Sequence, residues 1–147
     1  MKVTYSSDFP FIEDVKLPGY WFVTRGGVIR WENGTVTIPD RYLTDGASIP
    51  RPFWSVIYPV DARIRRAALG HDRLYETNQV DGGVEVSKDF ADEVLFYGME
   101  SLGGSLMLRR AVWAAVQIGG AWAWRTGPER RVERLRKMKE FSQRGSR

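Results

Sequence analysis

The chain has 147 residues, 43% hydrophobic and 27% charged, with a formal net charge of +4, one histidine and no cysteine. That length and balance predict one domain with its own core rather than a disordered chain. The missing cysteines exclude disulfide frameworks, thiolate metal sites and cysteine nucleophiles, and the lone His71 excludes any site that needs two imidazoles.

In chain order, strands come first. Val3 to Tyr5 reads as an edge strand, with Pro10 and Pro18 keeping the rest of residues 1–19 irregular. Tyr20 to Thr24, Val28 to Trp31 and Thr35 to Ile38 are rich in β-branched and aromatic residues and predict a β-meander. Arg25-Gly26-Gly27 separates the first pair, and Glu32-Asn33-Gly34, a strong hairpin signal, the second. Residues 40–60 read as a loop, since Gly46, Pro50 and Pro52 forbid a long regular element. Asp61 is a candidate cap for a helix to about Asn78, and Val80-Asp81-Gly82-Gly83 is a turn. Ser87 caps a second helix that ends at Gly103-Gly104. A third helix runs from Ser105 to about Trp124, and a fourth from Pro128 to about Phe141.

Charge is uneven along this order. Residues 125–147 hold nine Arg or Lys against three Glu, a net of +6, which leaves −2 for residues 1–124. The expected organisation is therefore a single α+β domain over 1–124, an antiparallel β-meander packed on three to four helices, followed by a basic helical tail over 125–147. The start of the chain lacks the cationic-then-apolar pattern of a secretory signal. The longest apolar stretch, between Arg110 and Arg125, is interrupted by Gln117, Gly119 and Gly120 and is shorter than the ~20 residues a membrane span needs.

The first helix carries Gly70-His71-Asp72-Arg73-Leu74-Tyr75. His71 and Tyr75 are four apart and share a face. Gly70, unfavourable in a helix interior by ~1 kcal/mol, hints that another backbone approaches there. If the second helix packs on this face, Asp92 reaches one imidazole nitrogen and leaves the other to take a proton from water, the logic of an oriented general base. Asp72 then lies on a neighbouring edge, where a hard cation could sit. The alternative is a satisfied core or interface histidine, with Tyr75 and Phe96 as core.

Thr44-Asp45-Gly46-Ala47-Ser48-Ile49-Pro50-Arg51, Ala68 to Tyr75 and Ala91-Asp92 together resemble a phage and prophage family labelled domain of unknown function 1353, over roughly residues 20–122. The resemblance implies a bacteriophage setting, in the virion or the host cytoplasm, with no activity attached. His71-Asp72-x-x-Tyr75 followed by Ala91-Asp92 is also similar to the paired helices of phospholipase A-two enzymes, especially the cysteine-free versions in parvovirus capsid proteins. That second likeness implies His71 as the base, Asp92 and Tyr75 as its orienting partners, and Asp72 as a calcium ligand. Those enzymes supply calcium carbonyls from a Tyr-x-Gly-x-Gly loop, which does not precede this helix; the Asp45-Gly46-Ala47-Ser48 loop is the candidate substitute, with Asp45 as a further calcium ligand.

Two further features bear on partners. The third helix, with Ala111, Ala114, Ala115, Gly119, Gly120 and Ala123 among Trp113, Trp122 and Trp124, reads as a central core helix, or else as a membrane-surface or partner-binding helix. On the fourth, Leu135, Met138 and Phe141 are spaced by three and form a candidate apolar stripe, with Arg131 and Arg134 at its rim. The stripe suits virion proteins or a second copy of the chain, and the arginines would also suit nucleic acid. Three function classes follow: a virion-associated structural or accessory protein of the tail or its junctions, a His71-dependent ester hydrolase with or without calcium, and a nucleic-acid-binding accessory protein.

Overall fold

The computed structural model describes residues 1–13, 21–44 and 62–144, with backbone alone at 13, 62, 63, 128, 130, 131, 134, 138, 141 and 142. Six strands precede four helices: β1 (Thr4–Tyr5), β2 (Phe11–Glu13), β3 (Trp21–Val23), β4 (Gly27–Trp31), β5 (Gly34–Ile38), β6 (Tyr42–Thr44), α1 (Ala62–Thr77), α2 (Lys88–Ser101), α3 (Leu106–Arg125) and α4 (Gly127–Arg144). The class is α+β, as the sequence predicts. The expected Asp61 cap and the Asp45–Trp54 segment lie outside the described residues.

The single meander is replaced by two antiparallel three-stranded sheets, ordered β1-β4-β5 and β2-β3-β6. β4 and β5 form the expected hairpin, with Trp31 opposite Gly34 and Ile29 opposite Val36. β1 lies along β4 at the edge, Thr4 opposite Arg30. β3, however, does not pair with β4; its Phe22 lies opposite Ile12 and Leu43. The cause is at Gly26, where a Cβ would stand 2.0 Å from the Ile38 carbonyl oxygen. The Gly26 N–H donates to Asp40 Oδ1 at 2.7 Å. Only glycine permits this backbone crossing, so Arg25–Gly27 carries the chain between sheets instead of reversing it. All three β3 residues are buried, so the strand lacks the alternation of a one-sided sheet.

The helices begin and end where their caps say. Ser87 accepts from the Phe90 N–H and Ser105 from the Leu108 N–H. Gly103 takes φ +83° and the Gly104 N–H closes on the Met99 carbonyl at 2.8 Å, ending α2. In the α1–α2 turn, Asp81 reaches back to β5, accepting from the Thr35 and Thr37 hydroxyls and the Thr37 N–H. It thereby covers an otherwise open sheet edge.

α1 is the central helix, packed on β5, β6 and the other three helices. One core joins it to the sheets through Ile29, Val36, Ile38, Leu69, Leu74 and Val94. A second joins it to α2 and α3 through Ala67, Ala68, Leu95, Met99, Val112 and Val116. Gly70 is approached by the side chains of Ile29 and Val94 rather than by a backbone, correcting that expectation. α3 is peripheral rather than central. Its small residues divide, Ala115, Gly120 and Ala123 facing inward while Ala114 and Ala121 are exposed together with Trp113, Ile118 and Trp122.

Candidate functional site: a buried polar hub between the two cores

α1 presents acids to β6 in two rungs. Tyr42 donates to Glu76 Oε2 at 2.7 Å, and the Thr44 hydroxyl donates to Asp72 Oδ2. Residues two apart on a strand rise ~6.6 Å and residues four apart on a helix ~6 Å, so the rungs match without distortion. All four side chains are buried.

One residue before Asp72, and so about 100° round α1, His71 faces α2. Its Nε2 lies 2.8 Å from Asp92 Oδ1, the same oxygen that receives the Tyr75 hydroxyl at 2.7 Å. The His71 and Tyr75 rings sit with centroids 4.0 Å apart. The other oxygen, Oδ2, accepts from Lys88 Nζ at 2.7 Å and from Gln117 Nε2 at 2.6 Å. Asp92 thus receives four donors from α1, α2 and α3 while being 0% exposed. Burying a carboxylate is costly unless its lone pairs are filled, and here they are.

On the far side of the ring, Nδ1 of His71 lies 3.9 Å from Asp72 Oδ1, close enough for charge attraction and too long for a direct hydrogen bond. Nδ1 has no hydrogen-bond partner among the described residues, and His71 is 1% exposed. Burial alone would push the imidazole pKa down, but the Asp72 and Asp92 carboxylates outweigh it and hold the pKa above the ordinary 6.5. For Asp92, burial pushes the carboxyl up, and His71, Lys88 and Tyr75 outweigh it, holding it below the usual carboxylate value. Burial and the Asp92 carboxylate raise the Tyr75 hydroxyl, which stays protonated as a donor. The resulting arrangement is an imidazole of raised proton affinity between the Asp72 and Asp92 carboxyl groups.

His71, Tyr75 and Asp92 therefore come together in one cluster, with Asp72 beside them. Asp45 lies outside the described residues. Among those residues no three His, Asp or Glu side chains converge on a metal-sized site. On α4, Leu135 is exposed, and the side chains of Arg131, Arg134, Met138 and Phe141 lie outside the description. Sequence reading missed Lys88, Gln117, Gly120 and Thr44 as members of the hub. Lys88 stands four before Asp92 on one helix, the spacing of an ion pair. Gln117 is the single amide in the apolar stretch of α3, a polar group that needs a buried partner. Gly120 was readable as small but not as a neighbour: a Cβ there would stand 2.5 Å from the Tyr75 hydroxyl and 2.7 Å from Lys88 Cε.

A family described as protein of unknown function (DUF1353) matches residues 21–116, well over half of the chain. The chain belongs to that family. No curated protein and no solved structure matches it.

Proposed function

We propose that this member of the family is a structural component of a bacteriophage-type particle, at the tail or one of its junctions, in which the His71–Asp92 hub is a fold-holding element rather than a catalytic site. The observation that carries the reading is the saturation of Asp92. A general base needs a neutral imidazole with one nitrogen facing substrate. His71 instead faces a carboxyl group on each side, has its pKa raised by them, and is 1% exposed. The phage setting draws on the TDGASIPR and HDxLY resemblance. The exposed Val132 and Leu135 of α4 offer an attachment surface. No helix among the described residues is long and apolar enough to cross a membrane.

A second reading is a His71-dependent ester hydrolase, with calcium held by Asp72 and Asp45. It draws on Nδ1, which has no hydrogen-bond partner among the described residues. One substitution separates the two. His71→Gln should lower unfolding free energy by ~1–3 kcal/mol, because Asp92 loses a charged donor, and should leave ester hydrolysis at the level of buffer in both proteins. A wild-type esterase rate that falls ~100-fold in His71→Gln, with stability unchanged, would favour the hydrolase. Mass spectrometry of purified particles made by the encoding phage or prophage should find the chain at fixed stoichiometry. Its absence from such particles would contradict the virion role.

A further inference from the structure

α2 and α3 diverge at the surface into a groove of about 540 Å³, lined by Glu93, Phe96 and Tyr97 on α2 and by Arg110, Trp113 and Ala114 on α3. The floor is aromatic. Phe96 and Tyr97 meet edge to face at 5.3 Å, and the Arg109 guanidinium lies over the Phe96 ring at 4.7 Å. Trp113 stands at the lip, 44% exposed. Ile118 and Trp122, 73% and 64% exposed, lie about 140° and 180° round α3 from Trp113 and form a separate face. An aromatic groove with a half-exposed tryptophan at its lip marks a contact surface.

The charges around the groove say what covers it. The exposed charged residues of α2 are all acidic, Asp89, Glu93 and Glu100, while those of α3 are both basic, Arg110 and Arg125. Glu93 and Arg110 stand on opposite walls, and neither has an ion-pair partner among the described residues. An anionic bilayer would be repelled by the acidic α2 wall. A partner with one sign of charge would satisfy only one wall. A twofold-related copy supplies both, because in an isologous contact residue i meets j while j meets i.

We infer that this groove is the interface of a homodimer, in which Trp113 of each copy seats against the aromatic floor of the other and Glu93 of each faces Arg110 of its partner. This goes beyond the structural reading above and holds whether or not the chain enters a particle.

Sedimentation of the full chain across a concentration series tests it. Wild type should dimerise reversibly below ~100 μM. Glu93→Arg and Arg110→Glu should each weaken the dimer at least ~10-fold by placing like charges opposite each other, and the double reversal should restore it to within a few-fold of wild type. Trp113→Ser should give a folded monomer, with circular dichroism checking the fold. A chain that stays monomeric at ~100 μM, single reversals without effect, or a double reversal that does not recover would overturn the proposal. So would a monomer that floats with vesicles containing phosphatidylserine, which would assign the surface to lipid.

Discussion

His71 is the residue on which the chemistry turns, and its charge follows from its two neighbours. Its folded pKa is raised by Asp92 at 2.8 Å and Asp72 at 3.9 Å, against the opposing effect of burial. A raised pKa means that its contribution to stability is complete below the unfolded value near 6.5 and is lost as pH climbs through the folded value. Asp92, with a lowered pKa, behaves oppositely: its contribution is complete above the ordinary 3.8 and is lost as pH falls through the depressed folded value. Between those limits both partners are charged and the hub is at full strength. The chain has one histidine, so the alkaline limb can be isolated by difference. The gap in unfolding free energy between wild type and His71→Gln should be widest near pH 5–6 and should narrow steadily above neutrality. Chemical denaturation at half-unit pH steps measures it, and a gap that widens with rising pH would assign the opposite charge state.

Among the elements, α3 shows how a helix can carry both a buried polar contact and an exposed apolar face. Gln117 points inward to Asp92, and Gly120, one turn later, lies under the Tyr75 hydroxyl and Lys88. In a solvent-facing helix, replacing glycine by alanine is worth up to ~1 kcal/mol of helix stability. At Gly120 the added methyl meets two members of the hub at 2.5 and 2.7 Å. Lys88 can swing away, but Tyr75 is fixed by its bond to Asp92 and by Trp124, whose ring meets it edge to face at 5.1 Å. Gly120→Ala should therefore destabilise by ~1–3 kcal/mol, the range for overpacking, despite its better propensity. Thermal melts would check the sign; a stabilised variant would mean that the tyrosine yields freely.

At the scale of the whole molecule, two apolar cores meet across α1, and the polar hub sits where they join. The local chemistry of this arrangement was legible in the sequence. Ser87 and Ser105 announced their helices, Gly103-Gly104 the end of α2, and the four-residue spacing of His71 and Tyr75 their shared face. The long-range pairing was not. Nothing within residues 20–31 distinguishes a hairpin from a crossing, because the deciding contact is Gly26 against the backbone at Ile38 and Pro39. The short strands β2 and β6 read as irregular for the same reason: three residues hold too little pattern, and their register is set by β3. The peripheral position of α3 was hidden because glycines and alanines mark close approach without saying on which side. In the hub, Thr44, Gln117 and Gly120 were missed because they come from distant elements, whereas Lys88 was missed although its i,i+4 spacing to Asp92 was legible.

The most direct test of a fold-holding rather than catalytic His71 is an NMR pH titration of its imidazole, the single one in the chain. A hub of the kind described requires a midpoint above 6.5. A midpoint below that value would mean that burial outweighs the two carboxyl groups and would contradict it.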